Sequence, residues 1–261
     1  MPAVDFSRGI FYLYLLTYLN LFIQLIIYAA MVLNRYIRDL TTLLFPPVCA
    51  GCHLPLAHGE EEICTACWYN LPFTNFHKDS ANESARQLWG LVPFTGTTSY
   101  LYFLECSRVQ NIVHHLKYRN RPKIGELLGK KYGKILLNIA PYSDIDCIVP
   151  VPLHTTKFRK RGYNQSLYFA KGLSLSMGKP LLENGFRRSR PTPSQTRKNR
   201  YQRFENVRES FEVDIPELFS DKHILLVDDV LTTGATIEGC AHALLKDKSV
   251  KVCIATLARA V

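Results

Sequence analysis

Acidic residues are nearly missing from one long stretch of the chain. Between Lys157 and Arg203 a single acid, Glu183, faces thirteen lysines and arginines. That stretch carries +12 of a total formal charge of +10, so the remainder sums to −2. So lopsided a distribution points to an anionic partner: phosphates of a small molecule, nucleic acid or lipid head groups. A solvated basic face is the plainer alternative. Charge is missing altogether between Arg8 and Arg35, and no small-x-small cleavage site stands out there, which argues against a signal peptide. Cysteine is sparse as well, eight in 261 residues, which excludes a small disulfide-stapled scaffold. With 47% apolar and 21% charged residues the chain is of the foldable, globular kind.

The uncharged run, "GIFYLYLLTYLNLFIQLIIYAAMVLN", is 26 residues long. It exceeds the roughly 20 needed to cross a bilayer as a helix. It reads as an anchor to an inner membrane over residues 10–33, with Arg35 and Arg38 following it and the rest of the chain in the cytoplasm of a bacterium. A second reading starts at Met31, which would open a complete amphipathic N-terminus and make the first 30 residues an over-extended gene start.

Four of the cysteines form two C-x-x-C pairs, Cys49/Cys52 and Cys64/Cys67, in "CAGCHLPLAHGEEEICTACW". Each pair makes a knuckle whose thiolates converge, and two knuckles complete a tetrahedral sulfur site of the zinc-ribbon type. Four protein ligands leave no open position, so the Zn²⁺ would be structural; redox thiols are the alternative. His53 and His58 are possible substitute ligands. Pro46-Pro47 ends the preceding helix, and "NFHKDSANESARQ" (75–87) reads as a linker or a loosely packed connection. Cys106, Cys147, Cys240 and Cys253 lie in apolar stretches and read as buried thiols.

From about residue 95 strands and helices alternate. "TTSYLYFL", "DIDCIVPVP", "HILLVDDV" and "VKVCIATLAR" read as strands, and "SRVQNIVHHLKY", "IGELLGKKYGKILLNIA", "NQSLYFAKGLSLSMG" and "ATIEGCAHALLKD" as helices. That alternation predicts an α/β fold with a mainly parallel sheet, helices on both faces, and ligands at the carboxyl ends of the strands. The most apolar strand runs into Asp228 and Asp229, then into the turn "LTTGAT". Backbone amides, threonine hydroxyls and a helix N-terminus at such a turn make a phosphate cradle. The carboxylates would face ribose hydroxyls and Mg²⁺ brought in by the phosphates. A phosphoacceptor receiver domain also has "ILLVDD", but on its first strand rather than a late one.

"LLVDDVLTTGAT" resembles the ribosyl-phosphate signature of type I phosphoribosyltransferases. Further stretches narrow the resemblance to the ComF family, competence-associated proteins that combine a zinc ribbon with a phosphoribosyltransferase-like domain. These are "LLFPPVCAGC", "HLKYRN" with Lys117, "VPVPLH", "KRGYNQ" with Arg161, Gly162, Asn164 and Gln165, and "RRSRPTPSQTRKNRYQRFENVRESF". The basic "TRKNR" after Gln195 departs from that pattern. The resemblance implies a type I phosphoribosyltransferase fold over 95–261, preceded by a zinc-ribbon module at 40–75 and a hydrophobic helix at 1–38. It implies that Asp228 and Asp229 hold the ribose hydroxyls of phosphoribosyl pyrophosphate (PRPP), and that Thr232, Thr233, Gly234, Ala235 and Thr236 hold its 5-phosphate. Val151, Pro152 and Leu153 would form the pyrophosphate loop. Arg188, Thr192, Gln195, Arg203 and Asn206 would belong to a flexible loop over the site. Lys117 and Tyr118 acquire no role from it.

Two functions follow. One is a DNA-uptake protein that binds PRPP or a related ribose phosphate, handles single-stranded DNA and contacts uptake or helicase machinery. Arg197, Lys198 and Arg200 are its candidate DNA contacts. The other is an active Mg²⁺-dependent phosphoribosyltransferase with an unidentified nitrogenous acceptor.

Overall fold

The structure, a computed structural model, describes residues 6–188 and 210–261. It divides into two compact units, residues 1–48 and 49–261.

The first unit is a helix, α1 (Phe6–Leu44), 39 residues long. Among the described residues no helix is long and apolar enough to cross a membrane, which corrects the expected transmembrane anchor. Polar residues also interrupt the apolar run. Asn20, Gln24 and Tyr28 recur every fourth residue and so line one face of the helix, and Asn34, Arg35 and Arg38 follow. Amide side chains in hydrocarbon leave hydrogen-bonding groups unsatisfied.

The second unit opens with the cysteine knuckles and a short helix, α2 (Thr65–Tyr69), begun by Cys64, whose Sγ accepts the Cys67 N–H. The stretch expected to be a linker is instead packed structure, a 3₁₀ turn at Phe76–Lys78 and helix α3 (Glu83–Leu88). Asn82 explains it. This residue is 3% exposed. Its Nδ2 donates to the carbonyls of Phe76, Asp79 and Thr97, and its Oδ1 caps α3 by accepting from Ala85 N. A polar composition thus hid a buried cap.

The remaining elements are β1 (Gly96–Phe103), α4 (Arg108–Tyr118), α5 (Lys123–Leu136), β2 (Cys147–Pro150), α6 (Thr155–Arg161) and α7 (Gln165–Met177). After them come β3 (Phe186–Arg188), β4 (Phe211–Val213), β5 (His223–Leu231), α8 (Ala235–Leu244) and β6 (Lys251–Ala260). Four strands form a parallel sheet in the order β1-β6-β5-β2. β3 and β4 form a separate antiparallel pair.

Both faces of the sheet are covered, which is why its strands read as unbroken apolar runs. Along β5, Leu225 and Val227 enter one core with Phe169 and Leu173 of α7 and Leu128 and Tyr132 of α5. Ile224 and Leu226 enter the other, with Ile237 and Cys240 of α8, Phe211 and Phe219. The period-2 alternation of a strand therefore feeds two cores, not a core and solvent.

α5 and α7 approach each other through glycines. A β-carbon on Gly172 would collide with the Glu126 carbonyl oxygen and lie 2.8 Å from the α-carbon of Gly129. This contact holds α7 at a fixed height against the sheet. Gly172→Ala is expected to destabilise the protein by about 1–3 kcal/mol through overpacking, read as a lower midpoint in urea denaturation. An unchanged midpoint would mean that the two helices have room to separate.

Candidate functional site

The site lies where β5 leaves the sheet. Ser166 Oγ donates to Asp228 Oδ1 at 2.8 Å, and the Asp229 N–H donates to the same oxygen at 2.8 Å. Asp229 Oδ2 is 3.0 Å from Lys117 Nζ, with both side chains less than one-fifth exposed. Lys117, which the sequence leaves without a role, is therefore the counter-ion of the acidic pair. The pairing joins residues 112 positions apart, and no local pattern announces it.

Burial, and then the neighbouring Asp229 carboxylate, push Asp228 up to about 7, against the Ser166 hydroxyl, the Asp229 amide and Lys117. An acid raised this far is poised near neutrality, as groups in functional clefts often are.

Beside the carboxylates the chain turns into α8. Gly234 caps the helix at φ +84°, a left-handed conformation, and a β-carbon there would meet Leu88 Cδ2 at 2.8 Å. Gln87 Nε2 donates to the Thr232 carbonyl. The supposed linker thus braces this turn from below, through α3.

The motif around Arg161 folds for a definite reason. Gly162, at φ 80°, ends α6. Asn164 Oδ1 then caps α7 through Ser166 N at 3.1 Å, while its Nδ2 donates to the Val151 carbonyl at 2.9 Å. Val151 N donates to Val227 O at 2.8 Å. One asparagine so ties the Val151–Leu153 turn to the helix that delivers Ser166. Arg161 Nη1 donates to Gln165 Oε1 at 2.6 Å, and Gln165 Nε2 to the Tyr163 carbonyl at 3.0 Å.

These parts share one cleft of about 440 Å³. It brings together Lys117, Val151, Pro152, Leu153, Arg161, Arg188, Asp228, Asp229, Thr232 and Thr236 from the sequence-derived set. Gly162, Asn164, Gln165 and Gly234 support it from behind, and Thr233 and Ala235 complete the turn. Sequence reasoning missed Phe103, Gln110, His114, Lys157 and Ser166, which also line it. Lys157 sits on α6, a helix hidden by its basic, apolar-poor composition. Thr192, Gln195, Arg197, Lys198, Arg200, Arg203 and Asn206 lie outside the described residues. Two adjacent acids ringed by Lys117, Lys157, Arg161 and Arg188 suit a ligand that offers hydroxyls to the acids and anionic oxygens to the cations.

The second chemical feature is the cysteine cluster. The four Sγ atoms of Cys49, Cys52, Cys64 and Cys67 lie within 4.8 Å of one another, so the set can hold one metal ion. Cys52 and Cys64 are 3.7 Å apart, which matches the roughly 3.8 Å that a tetrahedral ion bound at about 2.3 Å requires. Neither His53 nor His58 belongs to this cluster. Burial raises Cys49, but N–H groups of Cys64, Cys52 and Gly51 outweigh it and bring the thiol down to about 7. Burial pushes Cys67 up.

The cluster backs directly onto α4. Asn111 Nδ2 donates to the Gly51 carbonyl at 2.8 Å, and the His53 and His115 rings lie 5.2 Å apart. Arg121 Nε bonds Glu62 Oε2 at 2.7 Å. The helix that presents Lys117 to the cleft is therefore seated on the metal knuckle.

Fold and site together define a zinc-ribbon plus phosphoribosyltransferase-like chain. Residues 40–78 match the family "Double zinc ribbon domain" and residues 164–260 the family "Phosphoribosyl transferase domain". The chain is 25% identical over 240 residues to DNA utilization protein YhgH of Escherichia coli O157:H7, covering 83% of this chain and 99% of that one. It is 32% identical over 116 residues to competence protein F of Haemophilus influenzae, 44% of this chain and 51% of that one. The resemblance to the ComF family therefore holds at modest identity. Among solved structures, glutamine phosphoribosylpyrophosphate amidotransferase from B. subtilis is 19% identical with a TM-score of 0.38, covering 55% of this chain and 30% of that one, too loose a likeness to bear on function.

An acid whose folded pKa exceeds its unfolded value near 3.9 aids folding below that pH and loses this contribution as pH rises through the folded value. Asp228→Asn is therefore expected to gain stability over the parent between about pH 4 and about 7. The gain should reach about 4 kcal/mol, read from thermal unfolding at a series of pH values. A difference that does not grow with pH would contradict the raised acid.

Proposed function

We propose that the cleft binds PRPP or a related ribose phosphate, and that the protein serves DNA uptake in natural competence by handling single-stranded DNA. The observation that carries this reading is the acid pair Asp228/Asp229, neutralised by Lys117, standing beside the Thr232–Thr236 turn in one cleft. The carboxylates accept hydrogen bonds from the ribose 2- and 3-hydroxyls. The 5-phosphate takes the backbone amides and threonine hydroxyls of the turn at the start of α8. The diphosphate faces the Val151–Leu153 turn, with Arg161, Lys157 and Arg188 balancing its charge. Mg²⁺ arriving with the diphosphate would supply further neutralisation. On ligand entry Lys117 is free to exchange Asp229 for an anionic oxygen. The relatives' names, a DNA utilization protein and a competence protein, support the DNA-handling role. Arg197, Lys198 and Arg200 are its proposed strand contacts, whereas Thr192, Gln195, Arg203 and Asn206 are proposed to serve the ribose-phosphate ligand. We assign Zn²⁺ to the four cysteines, as a structural ion that holds the module beneath α4.

A second reading is favoured by the cations around the Val151–Leu153 turn: an active phosphoribosyltransferase. A nitrogen lone pair of the acceptor forms a bond to ribose C1 while the C1–O bond breaks. The electron pair leaves on pyrophosphate and the acceptor proton passes to water. The cations stabilise the departing charge, and no covalent nucleophile is needed.

Asp229→Asn is expected to abolish the thermal stabilisation given by Mg²⁺ and PRPP while leaving salt-sensitive binding to single-stranded DNA intact. Charge reversal at Arg197, Lys198 and Arg200 should do the opposite, and if each variant leaves its own ligand's binding unchanged, both assignments fail. A tight chelator is expected to remove one Zn²⁺ per chain, lower the melting temperature and weaken PRPP binding, because α4 loses its seat. Full PRPP affinity in the metal-free protein would show that the ribbon and the cleft are independent.

A further inference from the structure

We propose that α1 is one strand of a two-stranded coiled coil, and that its partner is the same helix of a second copy of this chain. Only the first unit is involved, whatever the cleft binds.

The sequence of α1 carries a seam. With Leu16 taken as position a of a heptad, the a positions are Leu16, Ile23, Ala30, Ile37 and Leu44. The d positions are Leu19, Ile26, Leu33 and Leu40. Nine consecutive seam positions are thus aliphatic, at alternating spacings of three and four over four heptads. A run of that length is the pattern of helices that wind around each other. Polar residues keep clear of it. Asn20 and Asn34 fall at e and Gln24 at b, and the charged residues of this stretch, Arg35, Arg38 and Asp39, fall at f, b and c.

Nothing in its own unit covers the seam. Every described seam residue larger than alanine is 46% to 65% exposed. At 1.5 Å per residue the stripe from Leu16 to Leu44 is about 42 Å long. An apolar stripe so long and continuous marks an interaction surface rather than scattered exposure.

Two features select an identical helix. The e and g positions that flank the seam carry no charge between Leu16 and Leu44. Charges there ordinarily choose one partner and repel others, so nothing here rejects a second copy. The side-chain set then fixes the number of strands. Ile23 and Ile37 at a, with Leu19, Leu33 and Leu40 at d, is the combination that favours two strands over three or four. Leu21, Leu25 and Val32 lie off the seam, at f, c and c, which makes a lipid surface the rival occupant to test.

Sedimentation velocity on the full chain is expected to give twice the mass of one chain. Ile26→Glu combined with Leu33→Glu should halve that mass. Gln24→Glu combined with Thr42→Glu puts the same charge on the outer face and should leave the pair intact. Leu33→Asn alone, a milder change, should raise the dissociation constant at least about tenfold. Tryptophan fluorescence should be the same in all four proteins, because Trp68 and Trp89 both lie in the second unit. A parent of one-chain mass, an open-ended series of larger masses, or equal dissociation by both double variants overturns the seam. So does transfer of the parent, as single chains, to phosphatidylglycerol vesicles, which identifies a lipid surface as the occupant.

Discussion

Two adjacent carboxylates at the end of a buried strand repel each other and lose hydration, and the rest of this chain is arranged around making that tolerable. Lys117 neutralises Asp229, Ser166 bonds Asp228, and the Asp229 amide adds a second donor. Lys117 arrives on α4 and Ser166 on α7, so the elements that hold these two helices are indirectly elements of the site. α7 is set by its close approach to α5 and by the Asn164 cap. α4 is set by the cysteine knuckle, through Asn111 and the His53–His115 contact.

This makes the ribbon a buttress. A module of this size buries too little apolar surface to be rigid alone, and a metal ion held by the four cysteines would supply the missing constraint. Four cysteine ligands would leave no open coordination position, and Gly51 and His53 of the module meet Asn111 and His115 of α4. A link between the ribbon and the cleft would run through α4, a helix of eleven residues that carries Lys117.

Much of the fold was legible because its causes are local. The apolar runs at β2, β5 and β6 announced strands buried on both faces, and the switch to helical spacing announced α4, α5, α7 and α8. The acid pair and its turn were legible for the same reason, being contiguous. What escaped has non-local causes. Asn82 gathers carbonyls from 76, 79 and 97, so a polar stretch that looked like a linker is packed structure. Ser166 and Lys117 meet the aspartates only in three dimensions. α6 escaped because its exposed basic residues give no apolar stripe. The N-terminal helix is legible as a helix from its long uncharged run, within which Asn20, Gln24 and Asn34 recur.

The carboxylate pair and the turn after it are proposed to form a ribose-phosphate cradle, and the roles of Lys117, Ser166 and α4 depend on it. Titration calorimetry of Mg²⁺ and PRPP into the full chain addresses this most directly. A saturable single-site isotherm, displaced by ribose 5-phosphate, is the predicted result. The absence of any heat up to millimolar ligand, with the protein folded and its zinc in place, would contradict it.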